Sequence, residues 1–456
     1  MLGPRLVIAG TRSGAGKTTV ATGIMAALRR RGHRVAAAKV GPDFIDPGYH
    51  ALATGRPARN LDPWMCGPEI IAPLAARAAA GAQTLVVEGV MGLFDGAADG
   101  TPSSTAEVAK LLDAPVVLVV DVASMSQSVA ALVHGYRSWD PEVRVAGVVL
   151  NLVGSDNHER MLRDALAASG VVVYGAIRRD DALRWRSRHL GLQPVAEDPA
   201  AVTASLDRLA AVIETTCDLD GILKVAATAP ERSVAAGPEP RPVGSARVAV
   251  AAGPAFSFCY QENLEALSAA GAELVTFDPC RDAALPERSA AVVAGGGFPE
   301  VFAEALAANR PMLDSVAAHR RRGGVIWAEC GGLLWLTRSL DGWPMAGVID
   351  ADATMGGGRV LGYRSATTTV ASPLGPAGTG LRGHEFHYST TDPGGEALVL
   401  TGRTGVTRGG FADPSLLASY LHVHLGGTPS LAEAFVSAAS GGARAARTAP
   451  GVGASR

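Results

Sequence analysis

One cysteine in this 456-residue chain stands where chemistry can use it. Cys330 follows the apolar run Gly324-Val325-Ile326-Trp327-Ala328 and Glu329, and is itself followed at once by Gly331, Gly332 and Leu333-Leu334-Trp335-Leu336. Strand, cysteine, two glycines and helix predict a sharp turn that lifts the thiol out of a sheet edge. The glycine N–H groups and the coming helix N-terminus would then favour a thiolate and a developing oxyanion. A lone cysteine is more often inert core; the predicted turn is what makes this one a candidate nucleophile. A thiol nucleophile needs a base, and SYLHVHL (residues 419–425) offers two, His422 and His424, which the two-residue repeat of a strand puts on one face. Either can be the base and the other the orienting group. The plain alternative is a surface strand carrying two histidines.

A second chemical pattern opens the chain. The short apolar strand 5–10 leads into Thr11-Arg12-Ser13-Gly14-Ala15-Gly16-Lys17-Thr18-Thr19 and then an amphipathic helix over 20–30. In that order the loop from Thr11 through Ser13, Gly14, Ala15 and Gly16 to Thr19 can cradle phosphates with backbone N–H groups. Lys17 would reach the terminal phosphates and Thr18 would hold magnesium. ATP and Mg2+ are therefore expected. Asp43 and Glu88, each at a predicted strand end, would complete the magnesium site, while Asp46 would orient a carboxylate substrate or its phosphate. Loop carboxylates also serve as turn formers. Asn151, closing another strand, could read the base edge of the nucleotide or cap a turn. The segment 101–110, with Ser103, Ser104 and Thr105, could line a polar pocket or cap the helix 106–112. The basic loop RSRHLGL (186–192) could meet a polyanion.

The elements that must position these residues follow from periodicity. Near-continuous apolar runs at 34–40, 84–87, 115–121, 143–151 and 171–177 alternate with helical patterns, as in a doubly wound α/β domain with a parallel sheet buried on both faces. The first domain is expected over 1–225, and an Ala/Pro/Gly/Arg-rich linker over 226–247. A second α/β domain holding the cysteine turn would span 248–440, and 441–456 would be a disordered tail. The formal net charge of −2 gives no reason to expect nucleic acid. The five cysteines suggest neither a disulfide framework nor a zinc site. No apolar run approaches the roughly 20 residues that span a bilayer, and no leader pattern opens the chain, so a cytoplasmic enzyme is expected.

Particular motifs carry a resemblance. The cysteine elbow, the His-x-His pair and the run GGGFPE (295–300) resemble the cobyric-acid-synthase branch of the class I glutamine amidotransferases. The resemblance implies oxyanion contacts from Gly296, Gly297 and Gly331 and aligns His422 with the catalytic histidine. His424 stands where other branches carry a triad glutamate, which this branch lacks. The phosphate loop has Thr11 where a first glycine is usual, and so resembles that of dethiobiotin synthetase. TRSGAGKTT, KVGPDFIDPGYH, NLDPWM, VEGVMGLFDG, AFSFCYQENLEAL, GGGFPE, AECGGLLWL, GHEFHYS and SYLHVHL occur in the order found in that branch's corrin a,c-diamide synthase family. What this implies is ATP- and glutamine-dependent amidation of the a and c side-chain carboxylates of hydrogenobyrinate or cobyrinate in cobalamin biosynthesis, through acyl phosphates attacked by glutamine-derived ammonia. L-glutamine and a corrin polycarboxylate would be the partners, with no nucleic acid or membrane, and a homodimer left open. Cobyric acid synthase and nickel-sirohydrochlorin diamide synthase share the architecture. From another class, a partitioning or metal-insertion ATPase with a non-catalytic second domain stays open.

Overall fold

The computed structural model describes residues 1–97, 100, 102–183, 185, 187–188 and 191–448. Thr101, the 186 and 189–190 positions of the basic loop, and 449–456 of the expected tail lie outside the described residues. The chain forms two compact units, one ending at Gly237 and the other beginning at Pro238.

The first unit is built on seven strands: β1 Arg5–Gly10, β2 Val35–Val40, β3 Arg59–Leu61, β4 Thr84–Glu88, β5 Val116–Asp121, β6 Val145–Val153 and β7 Val173–Arg178. They lie in the order β3-β2-β4-β1-β5-β6-β7, all parallel. Every residue of β1, β2 and β4 is buried, as expected of a sheet covered on both faces. β1 is central, and the chain builds outward on one side of it before crossing to the other. The loop after β1 therefore opens at the switch point where such sheets bind ligands. Helix α1, Lys17–Arg30, follows that loop. Its buried face (Val20, Ile24, Met25, Leu28) packs into a core shared with Leu209 and Ile213 of the Pro199–Thr216 helix. Each such side chain contributes about 1.5–3 kcal/mol on full burial. At Gly23 the helices are so close that a Cβ would stand 2.6 Å from Ile213 Cγ1. The sequence reading missed β3, which has only three residues and little apolar character. Asn60 secures it by donating to the carbonyls of Gly41 (2.8 Å) and Asp43 (2.7 Å).

The second unit has a six-stranded sheet in which Val325–Glu329 is inner, paired in parallel with Ala291–Ala294 on one side and Leu416–Ser419 on the other. Apolar clusters fill both faces. A five-stranded antiparallel sheet ends at His422–Val423, next to Gly380–His387, which in turn pairs with Val360–Thr368. The closing helix Pro429–Thr448 runs past the expected boundary at residue 440, its alanine-rich sequence sustaining the helix. The segment read as a linker is narrower than expected: helix Leu219–Ala227 precedes it and strand Ala246–Ala251 follows.

Candidate active sites

In the second unit Cys330 sits between the Val325–Glu329 strand and the Gly331–Leu336 helix with φ 48° and ψ −103°, a strained conformation for a residue with a side chain. Its N–H donates to the Ser419 carbonyl at 2.8 Å, fixing the turn to the neighbouring strand. Gly332 packs where a Cβ would be 2.1 Å from the Ala294 carbonyl oxygen, so only glycine permits this approach.

His422 is buried and hydrogen-bonds the Cys330 side chain, with Glu329 on its other side at 3.5 Å from Nδ1. Burial favours the neutral ring, but the hydrogen bond to Cys330 and the nearby Glu329 carboxylate outweigh it and raise the imidazole to about 10. Glu329 is itself anchored, accepting the Val423 N–H at 2.9 Å. The acid beside His422 is thus the residue before the candidate nucleophile, which the sequence reading passed over. The signal was a carboxylate ending an otherwise apolar strand. His424 is placed elsewhere. The paired strand stops at Val423, and His424, still extended in backbone, leads into the Leu425–Gly427 turn. His424 Nδ1 accepts the Gly426 N–H at 3.0 Å, and Nε2 lies 3.6 Å from Glu262. Its ring packs on Tyr260, with centroids 4.7 Å apart. His384 stacks on His422 at 5.1 Å, and burial holds it well below the usual histidine range.

The expected oxyanion donors divide. Gly296 is not one of them, because its N–H already donates to Phe258 O at 3.0 Å; its role is to make room, since a Cβ there would sit 2.6 Å from His422 Cε1. Gly297 and Gly331 remain as candidate donors, with Gly297 N only 3.1 Å from where a Gly331 Cβ would be.

In the first unit Gly14 and Gly16 adopt positive φ (76° and 96°), and a Cβ on Gly16 would meet Asn151 Nδ2 at 2.1 Å. Asn151 donates from that nitrogen to Ala15 O at 3.0 Å, so it clamps the loop. Thr11 is also structural: its N–H donates to Val119 O (3.3 Å) and its carbonyl accepts the Tyr136 hydroxyl. The N–H groups of Lys17, Thr18 and Thr19 precede the first intrahelical bond, Val20 N–H to Gly16 O, and can face an anion together with Ser13 and Gly14. Burial, then the Lys39 charge, lowers the Lys17 ammonium to about 8.

Thr18 Oγ1 donates to Glu88 Oε1 (2.6 Å) and stands 3.3 Å from Asp46 Oδ2. Lys39, on β2, links the same two carboxylates at 2.6 Å (Asp46) and 2.9 Å (Glu88), and His50 bonds the other Glu88 oxygen at 2.6 Å. Burial alone would raise Glu88, but Lys39 and His50 outweigh it and hold the carboxyl well below the usual range. Burial, then the Asp43 charge, pushes Asp46 up to about 7 against the pull of Lys39. Asp43 departs from expectation. Its Oδ1 accepts the N–H groups of Ile45 and Asp46, both at 2.8 Å, so it closes the turn that leads into helix α2, Asp46–Thr54. The oxygens brought together are those of Thr18, Asp46 and Glu88, a hard donor set that suits magnesium. Lys39 and His50 were missed, although a lysine inside the apolar strand VAAAKV is a visible signal. In the segment after residue 101, Ser104 and Glu107 form a capping box on the Thr105–Leu112 helix, the structural alternative of that reading.

A nucleotide loop on a parallel sheet in one unit, and a cysteine–histidine elbow in the other, define a glutamine-dependent ligase of the α/β class. Residues 6–192 match the CobQ/CobB/MinD/ParA nucleotide binding domain, and residues 247–429 the CobB/CobQ-like glutamine amidotransferase domain. The chain is 50% identical to hydrogenobyrinate a,c-diamide synthase of Streptomyces coelicolor, over 95% of this chain and 97% of that one. It is 46% identical to the enzyme of that name from Thermobifida fusca (96% and 97%), and 43% identical to cobyrinate a,c-diamide synthase of Syntrophotalea carbinolica (95% and 98%). The chain belongs to the hydrogenobyrinate/cobyrinate a,c-diamide synthase family, as its motif order implied.

Proposed function

We infer that this chain amidates the a and c carboxylates of a corrin, using ammonia from glutamine and activation by ATP. The observation that carries this reading is the pairing of a Cys330–His422–Glu329 cluster in one unit with a Thr18–Asp46–Glu88–Lys39 cluster beside a phosphate loop in the other. Cys330 attacks the glutamine carboxamide carbon, and the oxygen's developing charge falls between the Gly297 and Gly331 N–H groups. His422, protonated in its pair with Cys330, donates a proton to the departing ammonia and then draws one from the water that hydrolyses the thioester to glutamate. In the first unit the loop N–H groups and Lys17 hold the phosphates of ATP while a corrin carboxylate attacks the terminal phosphorus. Ammonia then displaces phosphate from the acyl phosphate, leaving the amide. A magnesium ion held by Thr18, Asp46 and Glu88 would supply charge neutralisation for the approach of two anions.

Lys39 neutralises Asp46 and Glu88 through the same two oxygens that face Thr18, keeping a cation in place between turnovers. The metal-free corrin is the favoured substrate, because the relatives above at 50% and 46% identity are both named for hydrogenobyrinate. Incubation with ATP, Mg2+ and glutamine should convert hydrogenobyrinate to its diamide faster than it converts cobyrinate, with stoichiometric glutamate and ADP. Turnover of neither corrin would refute the reading. No helix among the described residues is long and apolar enough to cross a membrane.

A further inference from the structure

The second unit holds a buried charged pair that the chemistry above does not use. Arg364 Nε stands 2.8 Å from Glu385 Oε2, with the two side chains only 12% and 9% exposed. Arg364 lies on Val360–Thr368 and Glu385 on Gly380–His387, antiparallel neighbours in register. That register sets Arg364 opposite Gly383 and Glu385 opposite Gly362, so both charges face glycine across the ladder. A third glycine adjoins the guanidinium, since a Cβ on Gly402 would come within 2.7 Å of Arg364 Nη1. Glycine inside a strand costs roughly 0.5–1 kcal/mol relative to alanine, and a buried ion pair adds little or nothing over an apolar pair of the same volume. A glycine-cleared slot around buried opposite charges is therefore poorly explained as a stabilising device.

The strand that carries Glu385 is paired with the one that carries His422. Gly383 pairs with Val423 and His384 with His422, and a Cβ on Gly383 would meet the His422 carbonyl oxygen at 2.1 Å. His387 falls on the same strand face as Glu385 and stacks on Tyr420, with ring centroids 3.7 Å apart. The residue before Tyr420 is Ser419, whose carbonyl accepts the Cys330 N–H. The Tyr420 phenol is raised by burial first, and the charges of Cys330 and Glu385 both add to that shift, placing it in the field of each.

Glutamine carries the groups such a slot would select. Its carboxamide must reach Cys330 while its far end is a zwitterion, an ammonium and a carboxylate on one carbon, which calls for one anion and one cation side by side. We propose that Glu385 receives the α-ammonium and Arg364 the α-carboxylate of glutamine, the internal ion pair opening to form two with the substrate. Neither charge is then left buried without a counterion in either state. The proposal rests on the glutaminase reading above and states how that site recognises its substrate.

The test is hydrolysis of three amides by the full-length protein: L-glutamine, glutaramate, which lacks the α-amino group, and 4-aminobutanamide, which lacks the α-carboxylate. The wild type should prefer glutamine to either analogue by about 100-fold or more in kcat/KM. Glu385→Gln should raise the glutamine KM about 10- to 100-fold with little change in kcat, and should lose its preference over glutaramate while keeping that over 4-aminobutanamide. Arg364→Met should show the converse. If a single variant does not fold, the double variant Arg364→Met/Glu385→Met leaves no unpaired charge and should lose both preferences together. An equal loss on all three amides, or unchanged preferences in the double variant, would overturn the proposal. A wild type that hydrolyses none of them would refute the glutaminase reading instead.

Discussion

In the proposed mechanism Cys330, His422 and Glu329 divide the glutaminase work between a nucleophile, a proton carrier and the acid that holds the carrier. Replacing His422 with alanine should lower glutamate release by about 10²–10⁴-fold, as is usual for loss of a general base. Glu329→Gln keeps the bond to the Val423 N–H but removes a charge from beside His422, so it should cost less than His422→Ala and lower the imidazole pKa. That shift is readable by NMR titration of the ring. His424→Ala should act through packing against Tyr260 and Glu262, reducing stability more than kcat; a loss in kcat equal to that of His422→Ala would restore His424 as a partner in the chemistry. The raised His422 pKa also has a stability consequence. The folded value of about 10 exceeds the ordinary 6.5, so its contribution is fully present below pH 6.5 and is lost as pH rises through 10. The melting temperature should therefore fall between pH 7 and 10 more in the wild type than in His422→Gln, as scanning calorimetry would show.

At the level of elements, a turn and a site alternate along the segment between β2 and helix α2. Asp43 spends one oxygen on two N–H groups at the start of α2, whereas Asp46, three residues on, turns its carboxylate to Thr18 and Lys39. Asp43→Ala should cost about 1 kcal/mol of stability through its lost turn hydrogen bonds and leave the magnesium requirement of ATP cleavage little changed. Asp46→Ala or Glu88→Ala should raise that requirement in glutamine- and ammonia-driven synthesis alike. Equal magnesium responses in Asp43→Ala and Glu88→Ala, followed as ADP release, would place Asp43 in the site after all. From sequence, KVGPDFIDPGYH showed that carboxylates meet the phosphate loop, yet not which of them. Asp43 and Asp46 have the same chemistry, and only the start of α2 between them decides which faces inward. Similarly, the spacing of the histidine pair did not show that His424 spends Nδ1 on the Gly426 N–H at the Leu425–Gly427 turn and faces Glu262 with Nε2.

Across the whole molecule, the parallel sheet, the phosphate loop and the cysteine elbow were legible because each is local: apolar runs, positive-φ glycines and a strand-to-helix turn are written in contiguous residues. Glu329 behind His422, Lys39 between Asp46 and Glu88, and the engagement of the Gly296 N–H by Phe258 were not, because they depend on which strands become neighbours. The central claim is that nitrogen passes from glutamine through the Cys330 site to carboxylates activated in the first unit. Mass spectrometry of the corrin product after reaction with amide-15N glutamine tests it most directly. The wild type should place two 15N atoms in the corrin. Cys330→Ala should place none from labelled glutamine, yet still place two from 15N-ammonium with ATP. Label passing from glutamine into the corrin in Cys330→Ala, or loss of ammonium-driven labelling in a folded Cys330→Ala protein, would contradict the account.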